Sequence, residues 1–311
     1  MNGLPAYRSV AGVTTLTQWL FVRQRFRCFL DNISLTTAQI TDGWTKIRGV
    51  VFCLNRNYWN ISSETQNYVL VGSWGKQTTV RPPRDIDLMF FLPPSVYYRY
   101  AARSGNRQSQ LLQEVKSVLL PTFSRTDLKG DGQVIVAPFD TFKVEVVPAF
   151  VLESGQALIC DANEGGKYKT VDPVAEFNTL DWNDRCSSSN VRDLVRMLKQ
   201  WQRTKNVPIK SFVIERLAIE FVYQWPHKGY DEFWYDWMVR DFFLYALGRA
   251  GSWALMPGTG ELVSLGNAWL SSAENAYRRA CEACYLERIN LNQMAGDKWQ
   301  EIFGFEIPRN A

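Results

Sequence analysis

The run Gly72-Ser73-Trp74-Gly75-Lys76, and the triplet Asp85-Ile86-Asp87 separated from Ser73 by eleven residues, constrain this chain more than any other feature. A Gly-Ser turn lets phosphate oxygens approach backbone N–H groups. Two acids at i and i+2 on a strand project from the same face. Asp87 leads into Leu88-Met89-Phe90-Phe91-Leu92, an apolar run that reads as a buried strand, so the acid pair lies near a core. Like charges held there repel and are poorly solvated unless cations neutralise them, which points to bound divalent metal and nucleotide chemistry.

At 311 residues the chain can house two cores, so two lobes are expected. Its 46% hydrophobic content describes a packed globular protein, and no apolar stretch approaches the ~20 residues a membrane helix needs. Met1 to Arg8 lack the basic segment and apolar run of a signal peptide, which predicts a soluble, cytoplasmic protein that does not engage a membrane. Cys281 and Cys284 form a CxxC in a helical segment without a nearby histidine, and read as two half-buried thiols, not a zinc site. His227 is the one histidine, which excludes chemistry that needs two. A net charge of +4 is too small for general nucleic-acid binding. Lys76, Arg81 and Arg84, followed by Lys129, Lys143, Lys167 and Lys169, fit either a cleft for a polyanionic triphosphate or a solvated basic rim.

Apolar spacing predicts helices over 14–31 (with Leu16, Trp19, Phe26 and Leu30) and 36–60. Tyr68 to Val71 read as a short strand delivering the Gly-Ser turn, and Ile86 to Leu92 as the next, after the Pro82-Pro83 break. Residues 95–120 look helical, and two strands follow over 134–137 and 141–147. In the second, Lys143, Glu145 and Val147 share one face, and Glu145 reads as a third acid for the site, not as an edge glutamate facing solvent. The Gly-, Asn-, Asp- and Ser-rich segment 155–188 is expected to be a loop-dominated crossing between lobes. Helices are expected over 190–204, capped by Ser187-Ser188-Ser189, and over 210–224, 231–250, 266–290 and 296–303. The final residues 307–311 read as a mobile tail.

Three carboxylates on neighbouring strands can hold two Mg²⁺ ions, or Mn²⁺ in their place, about 3.5–4 Å apart, an arrangement suited to in-line displacement at phosphorus. Asp85 and Asp87 would bridge both ions, and Glu145 would bind the one that activates the attacking hydroxyl. Gly72 and Ser73 would cradle the triphosphate. These residues specify nucleotidyl transfer.

The stretch Gly72 to Leu88 resembles the active-site signature of the cGAS/DncV-like nucleotidyltransferases (CD-NTases), which make cyclic oligonucleotides in bacterial anti-phage signalling (CBASS). Lys143 to Phe150 resembles the family's third-carboxylate strand, and Gly166 to Pro173 its inter-lobe segment. Leu194 to Trp201 with Ile209 to Phe212 resembles its spine helices, and Trp299 to Gly304 its C-terminal end; the similarity spans most of 40–305. The resemblance implies an α+β fold, a polymerase-β-like nucleotidyltransferase whose mixed-sheet catalytic lobe, 36–180, packs on a helical lobe formed by 1–35 and 181–311. It implies that Lys199 and Ser211 touch the donor triphosphate of an NTP substrate and that Phe212 stacks on a base. Ring closure is likewise implied by the resemblance alone. The family's third acid is commonly aspartate, where this chain has Glu145. The zinc-bearing insertion of the animal relative has no counterpart, so a double-stranded DNA activator is not expected. CBASS regulatory or conjugation proteins, and an effector acting through the product, are the partners implied, the small final residue Ala311 suiting conjugation. Two other readings share these acids: an RNA-tailing polymerase, and a degenerate nucleotide-binding module, which loss of a carboxylate would mark.

Overall fold

The computed structural model of the chain describes residues 18–124 and 126–311. The stretch with Thr14 and Leu16, and the segment Met1 to Arg8, lie outside the described residues. Helix α1 (Val22–Ile33) is followed by α2 (Thr37–Tyr58), which opens on a reciprocal cap: Thr36 Oγ1 accepts from the Gln39 N–H at 3.2 Å and Gln39 Oε1 from the Thr36 N–H at 3.0 Å. Strand β1 (Tyr68–Leu70), a single helical turn α3 (Gly72–Gly75) and β2 (Asp85–Phe91) come next. The helix expected over 95–120 is two, α4 (Pro94–Ala101) and α5 (Arg107–Leu119), interrupted around Gly105, whose φ is +75°. Three strands follow, β3 (Lys129–Asp131), β4 (Val134–Pro138) and β5 (Lys143–Val151).

The expected loop over 155–188 is instead ordered as β6 (Ala157–Asp161), β7 (Lys167–Val171) and α6 (Pro173–Arg185). Strand β7 lies at the sheet edge with Lys167 and Lys169 exposed, so its polarity hides a pairing that backbone hydrogen bonds supply. Helix α6 has an ordinary start: Pro173 sits in the first turn and the Asp172 carboxylate accepts the Ala175 N–H at 2.9 Å.

The sheet runs β1-β2-β5-β4-β3, with β6 on the second half of β5 and β7 on β6. The β2–β5 pair is parallel and the others antiparallel, which makes the sheet mixed and the class α+β, as expected. Alternation decides what each face does. Ile86, Leu88, Phe90, Val144 and Val146 pack on Ile47, Leu54, Leu111 and Val115 of α2 and α5. Each such side chain contributes about 1.5–3 kcal/mol by leaving water. The opposite face carries Asp85, Asp87, Met89 and, from β5, Glu145 and Val147.

A second core joins α1 to the C-terminal helices. These are α7 (Asn190–Thr204), α8 (Ser211–Gln224), α9 (Tyr235–Leu247), α10 (Leu270–Arg288) and α11 (Asn292–Phe303), with a hairpin of β8 (Trp253–Leu255) and β9 (Leu262–Ser264) between α9 and α10. The serines expected to cap α7 do not do so. Ser189 is left-handed at φ +71° without a side-chain cap bond, and Asp184 Oδ1 takes the Arg192 N–H at 2.8 Å instead.

The C-terminal residues are not a mobile tail. Ile307 is fully buried, Arg25 donates to the carbonyls of Pro308 and Arg309, and Asn292 Nδ2 donates to the Ala311 carbonyl at 3.0 Å. Arg25 itself is wholly buried, paired with Glu287 at 2.7 Å, and donates to the Asn292 carbonyl at 2.9 Å. The polar sequence 308–311 hid this docking because its partners lie on α1 and α11, remote in the chain. Among the described residues no helix is long and apolar enough to cross a membrane.

Candidate active site

Parallel register sets Asp87 beside Glu145 and Asp85 beside Lys143, so the three acids share one face of two adjacent strands. The Gly-Ser turn is tied to the same place, since the Val71 N–H donates to the Asp87 carbonyl at 2.9 Å. Gly72 is required there. Its φ is +57°, and a Cβ would lie 1.8 Å from Asp87 Oδ2. The turn is seated from behind by Trp74, whose indole packs so closely on α2 that a Cβ at Gly43 would meet it at 2.3 Å. Gly72→Ala is therefore expected to cost about 1–2 kcal/mol in left-handed backbone strain. Its larger effect is to push the Asp87 carboxylate out of place, reducing catalysis by roughly 10²-fold or more. Pyrophosphate-release kinetics beside denaturant unfolding separate the two effects.

Burial and the nearby Asp85 charge push the Asp87 carboxyl up to about 6, against the pull of Lys199 and Lys76. Burial with the Asp85 and Asp87 charges pushes Glu145 up to about 7. The acids are close enough to feel one another. Even so, among the described residues no three carboxylate, imidazole or thiol groups are drawn together tightly enough to hold a metal ion as they stand. Carboxylates without a counter-charge repel one another, and both raised values are what an arriving cation relieves. The donor set, three carboxylates and no nitrogen or sulfur, fits Mg²⁺ or Mn²⁺.

Asp85 and Asp87 line a cleft of about 740 Å³ between the sheet and the helices. This is the size of a small-molecule site, roughly 300–1,000 Å³. Gly72, Ser73, Lys199, Ser211 and Phe212 line it too, so the structure brings these expected residues together; Glu145 stands beside Asp87 just beyond that lining. Ser73 Oγ accepts from Thr79 Oγ1 at 3.0 Å. Ser211 and Phe212 open α8, whose first turn has no side-chain cap, leaving N–H groups and the positive end of the helix dipole at the cleft. Phe212 is half-buried, packed on the helical core while presenting a face to the cleft.

Lys199 is not a solvated helix lysine. It is 7% exposed, donates to Thr78 Oγ1 at 2.8 Å and pairs with Glu215 at 3.2 Å. Glu215 also pairs with Lys76 at 2.9 Å, and Lys76 with Glu176 at 2.8 Å. Burial lowers Lys76, but Glu215 and Glu176 outweigh it and push the amine up to about 12. Burial would raise Glu215, yet the two lysines hold it below the usual glutamate range.

Of the expected basic cluster, only Lys76 and Arg84 reach the cleft lining. Arg81 turns back to donate to the Asn32 carbonyl at 3.0 Å, and Lys129, Lys167 and Lys169 pair with Asp127, Glu164 and Glu261 on the surface. For the three lysines the solvated-rim reading is the correct one, whereas Arg81 is half-buried against α1. Sequence reasoning missed Glu176 and Glu215 altogether. A signal existed for Glu215, which lies four residues after Ser211 and three after Phe212 on the same helix face.

Helix α7 grips the loop that joins the Gly-Ser turn to β2. Arg192 Nε donates to the Lys76 carbonyl at 3.0 Å, Lys199 to Thr78, and Arg203 Nη2 to the Pro82 carbonyl at 2.9 Å. Positions 192, 199 and 203 form one stripe of the helix.

A mixed sheet bearing gathered acids, facing a helical wall that supplies lysine, defines a nucleotidyltransferase. Residues 20–183 match the Second Messenger Oligonucleotide or Dinucleotide Synthetase domain family, and the chain belongs to that family, as a CD-NTase. A Bacillus cereus (strain VD146) protein named a probable cyclic nucleotide synthase is 22% identical over 274 residues, covering 76% of this chain and 81% of its own. CdnC of E. coli MS115-1, solved in complex with HORMA-deltaN, shares the fold at 17% identity and TM-score 0.67, over 92% of this chain and 98% of that one. Vibrio cholerae DncV does so at 12% identity and TM-score 0.65, over 93% and 88%.

Proposed function

We propose that this enzyme condenses NTPs into a cyclic oligonucleotide second messenger, using Asp85, Asp87 and Glu145 as its acids. The observation that carries this reading is the parallel register that puts Glu145 beside Asp87 on the cleft face, opposite Lys199 and the open start of α8. Asp85, Asp87 and Glu145 would hold two Mg²⁺ ions, which supply charge neutralisation for both the entering and the leaving oxygen.

The chain's own residues do the rest. Gly72 and Ser73 admit the triphosphate to backbone N–H groups, and Lys76, Lys199 and the first turn of α8 oppose its charge. Phe212 offers an aromatic platform for a base. A ribose hydroxyl of one nucleotide forms a bond to the α-phosphorus of the other, the bond to the β-phosphate breaks and pyrophosphate leaves. Glu145, on the strand beside Asp87, would accept the hydroxyl proton. A second round within the molecule closes the ring.

Family membership and the curated relative's name support cyclisation over RNA tailing. The role we assign is cytoplasmic anti-phage signalling in which the product activates an effector; CdnC, which shares the fold, was solved in complex with HORMA-deltaN, and a partner of that kind is the one we propose here. Incubating the protein with NTPs and Mg²⁺, with and without an RNA primer, tests the reading. A phosphatase-resistant cyclic product identified by mass spectrometry is expected without primer; extension of the primer alone would replace this reading with the tailing one.

A further inference from the structure

The cleft floor carries two cations and two anions, and they are already spoken for. Lys76 reaches Glu176 and Glu215, and Lys199 reaches Glu215, all within 3.2 Å. Glu215 uses one oxygen for each lysine, Oε2 for Lys76 and Oε1 for Lys199, so a single carboxylate bridges both. The side chains of Lys199 and Glu215 are each 8% exposed, and all four residues line the cleft. An arriving polyphosphate therefore meets a group of zero formal charge. Each ammonium has a third N–H to offer, but its charge is already shared with Glu215, so a phosphate competes with Glu215 for the full pull of the lysines.

We propose that Glu215 is a built-in counter-ion that holds Lys76 and Lys199 together in the free enzyme, and that the substrate's phosphates displace it. Two linked phosphates carry more charge and more anionic oxygens than one, so they compete with the bridging carboxylate for both lysines better than a single phosphate does. Glu215 thus acts as a positioning and specificity residue, working through the lysines without touching reacting atoms. It discriminates against orthophosphate and monophosphates, and by reclaiming the lysines it helps pyrophosphate leave. This rests on the proposed assignment of the cleft to NTPs.

The test is calorimetric titration of the full chain in chelator with inorganic pyrophosphate and orthophosphate, comparing the parent with Glu215→Gln and Glu215→Asp. Glutamine keeps the shape and removes the charge, whereas aspartate keeps the charge and shortens the reach. Either variant is expected to bind pyrophosphate about tenfold more tightly or better, with a smaller preference over orthophosphate and stronger product inhibition by pyrophosphate in Mg²⁺. The titrations are repeated across neutral pH, because a proton lost from Lys199 in the glutamine variant would confine the tightening to the acid side. A merely structural Glu215 predicts weaker binding alongside a lowered unfolding temperature. Unchanged or weaker pyrophosphate affinity in a folded variant overturns the proposal while leaving the nucleotide-site reading intact. Failure of the parent to bind ATP or pyrophosphate even with Mg²⁺ overturns both.

Discussion

Asp87→Asn is expected to reduce pyrophosphate release from NTPs by about 10²–10³-fold and, in chelator at neutral pH, to leave a protein more stable than its parent. The first effect follows from removing a carboxylate that would hold the activating cations, where electrostatic groups at the reacting centre are worth roughly 10²–10³ each. The second follows from linkage. Burial and Asp85 raise Asp87 to about 6, and burial with Asp85 and Asp87 raises Glu145 to about 7. A carboxyl raised in the fold keeps its proton to higher pH than in the unfolded chain, so ionisation favours unfolding. In the metal-free parent this stability is present below the unfolded carboxyl range near ~4 and is lost as pH rises through about 6–7. The variant lacks the Asp87 share, and its own neutral amide also removes a repulsion from Glu145, so its decline is shallower. Thermal unfolding between acid and neutral pH, with chelator and with Mg²⁺, measures this; a variant less stable than the parent, with the same slope, would rule it out.

Arg25→Ala should cost about 3–5 kcal/mol, the largest stability loss expected of any single change at a charged residue here. Arg25 is wholly buried, and its guanidinium serves Glu287, Asn292 and the carbonyls of Pro308 and Arg309 together. Removing it strands the Glu287 carboxylate, which is also fully buried and is shared with the Trp299 indole at 3.3 Å. It also unpins Pro308 and Arg309 from α1. Denaturant unfolding reads the loss, and adding Glu287→Gln to Arg25→Ala is expected to recover part of it by removing the orphaned charge. A loss under about 1 kcal/mol would show that the pair is replaceable by water.

The acids and the turn were legible because their signals are local. Alternation along 85–91 tells which side of β2 is core, and the i, i+2 spacing then puts Asp85 and Asp87 on the other side. Glu145 needed one step more, a second strand in register. The lysine and glutamate lattice was not legible, because Lys76, Glu176, Lys199 and Glu215 come from four separate segments and each alone looks like a surface charge. The strands over 157–171 failed for a different reason. At a sheet edge, pairing is made by backbone groups, and the side chains are free to be polar. The tail failed likewise: its anchors are carbonyl oxygens, to which sequence is blind, held by an arginine some 280 positions away.

Arg192, Lys199 and Arg203 button the loop between turn and acids to one helix, so swinging that helix away from the loop would break three hydrogen bonds together. A half-finished linear product is therefore expected to be turned around with the loop and the helix still joined. It has to roll over in place or drift out and come back.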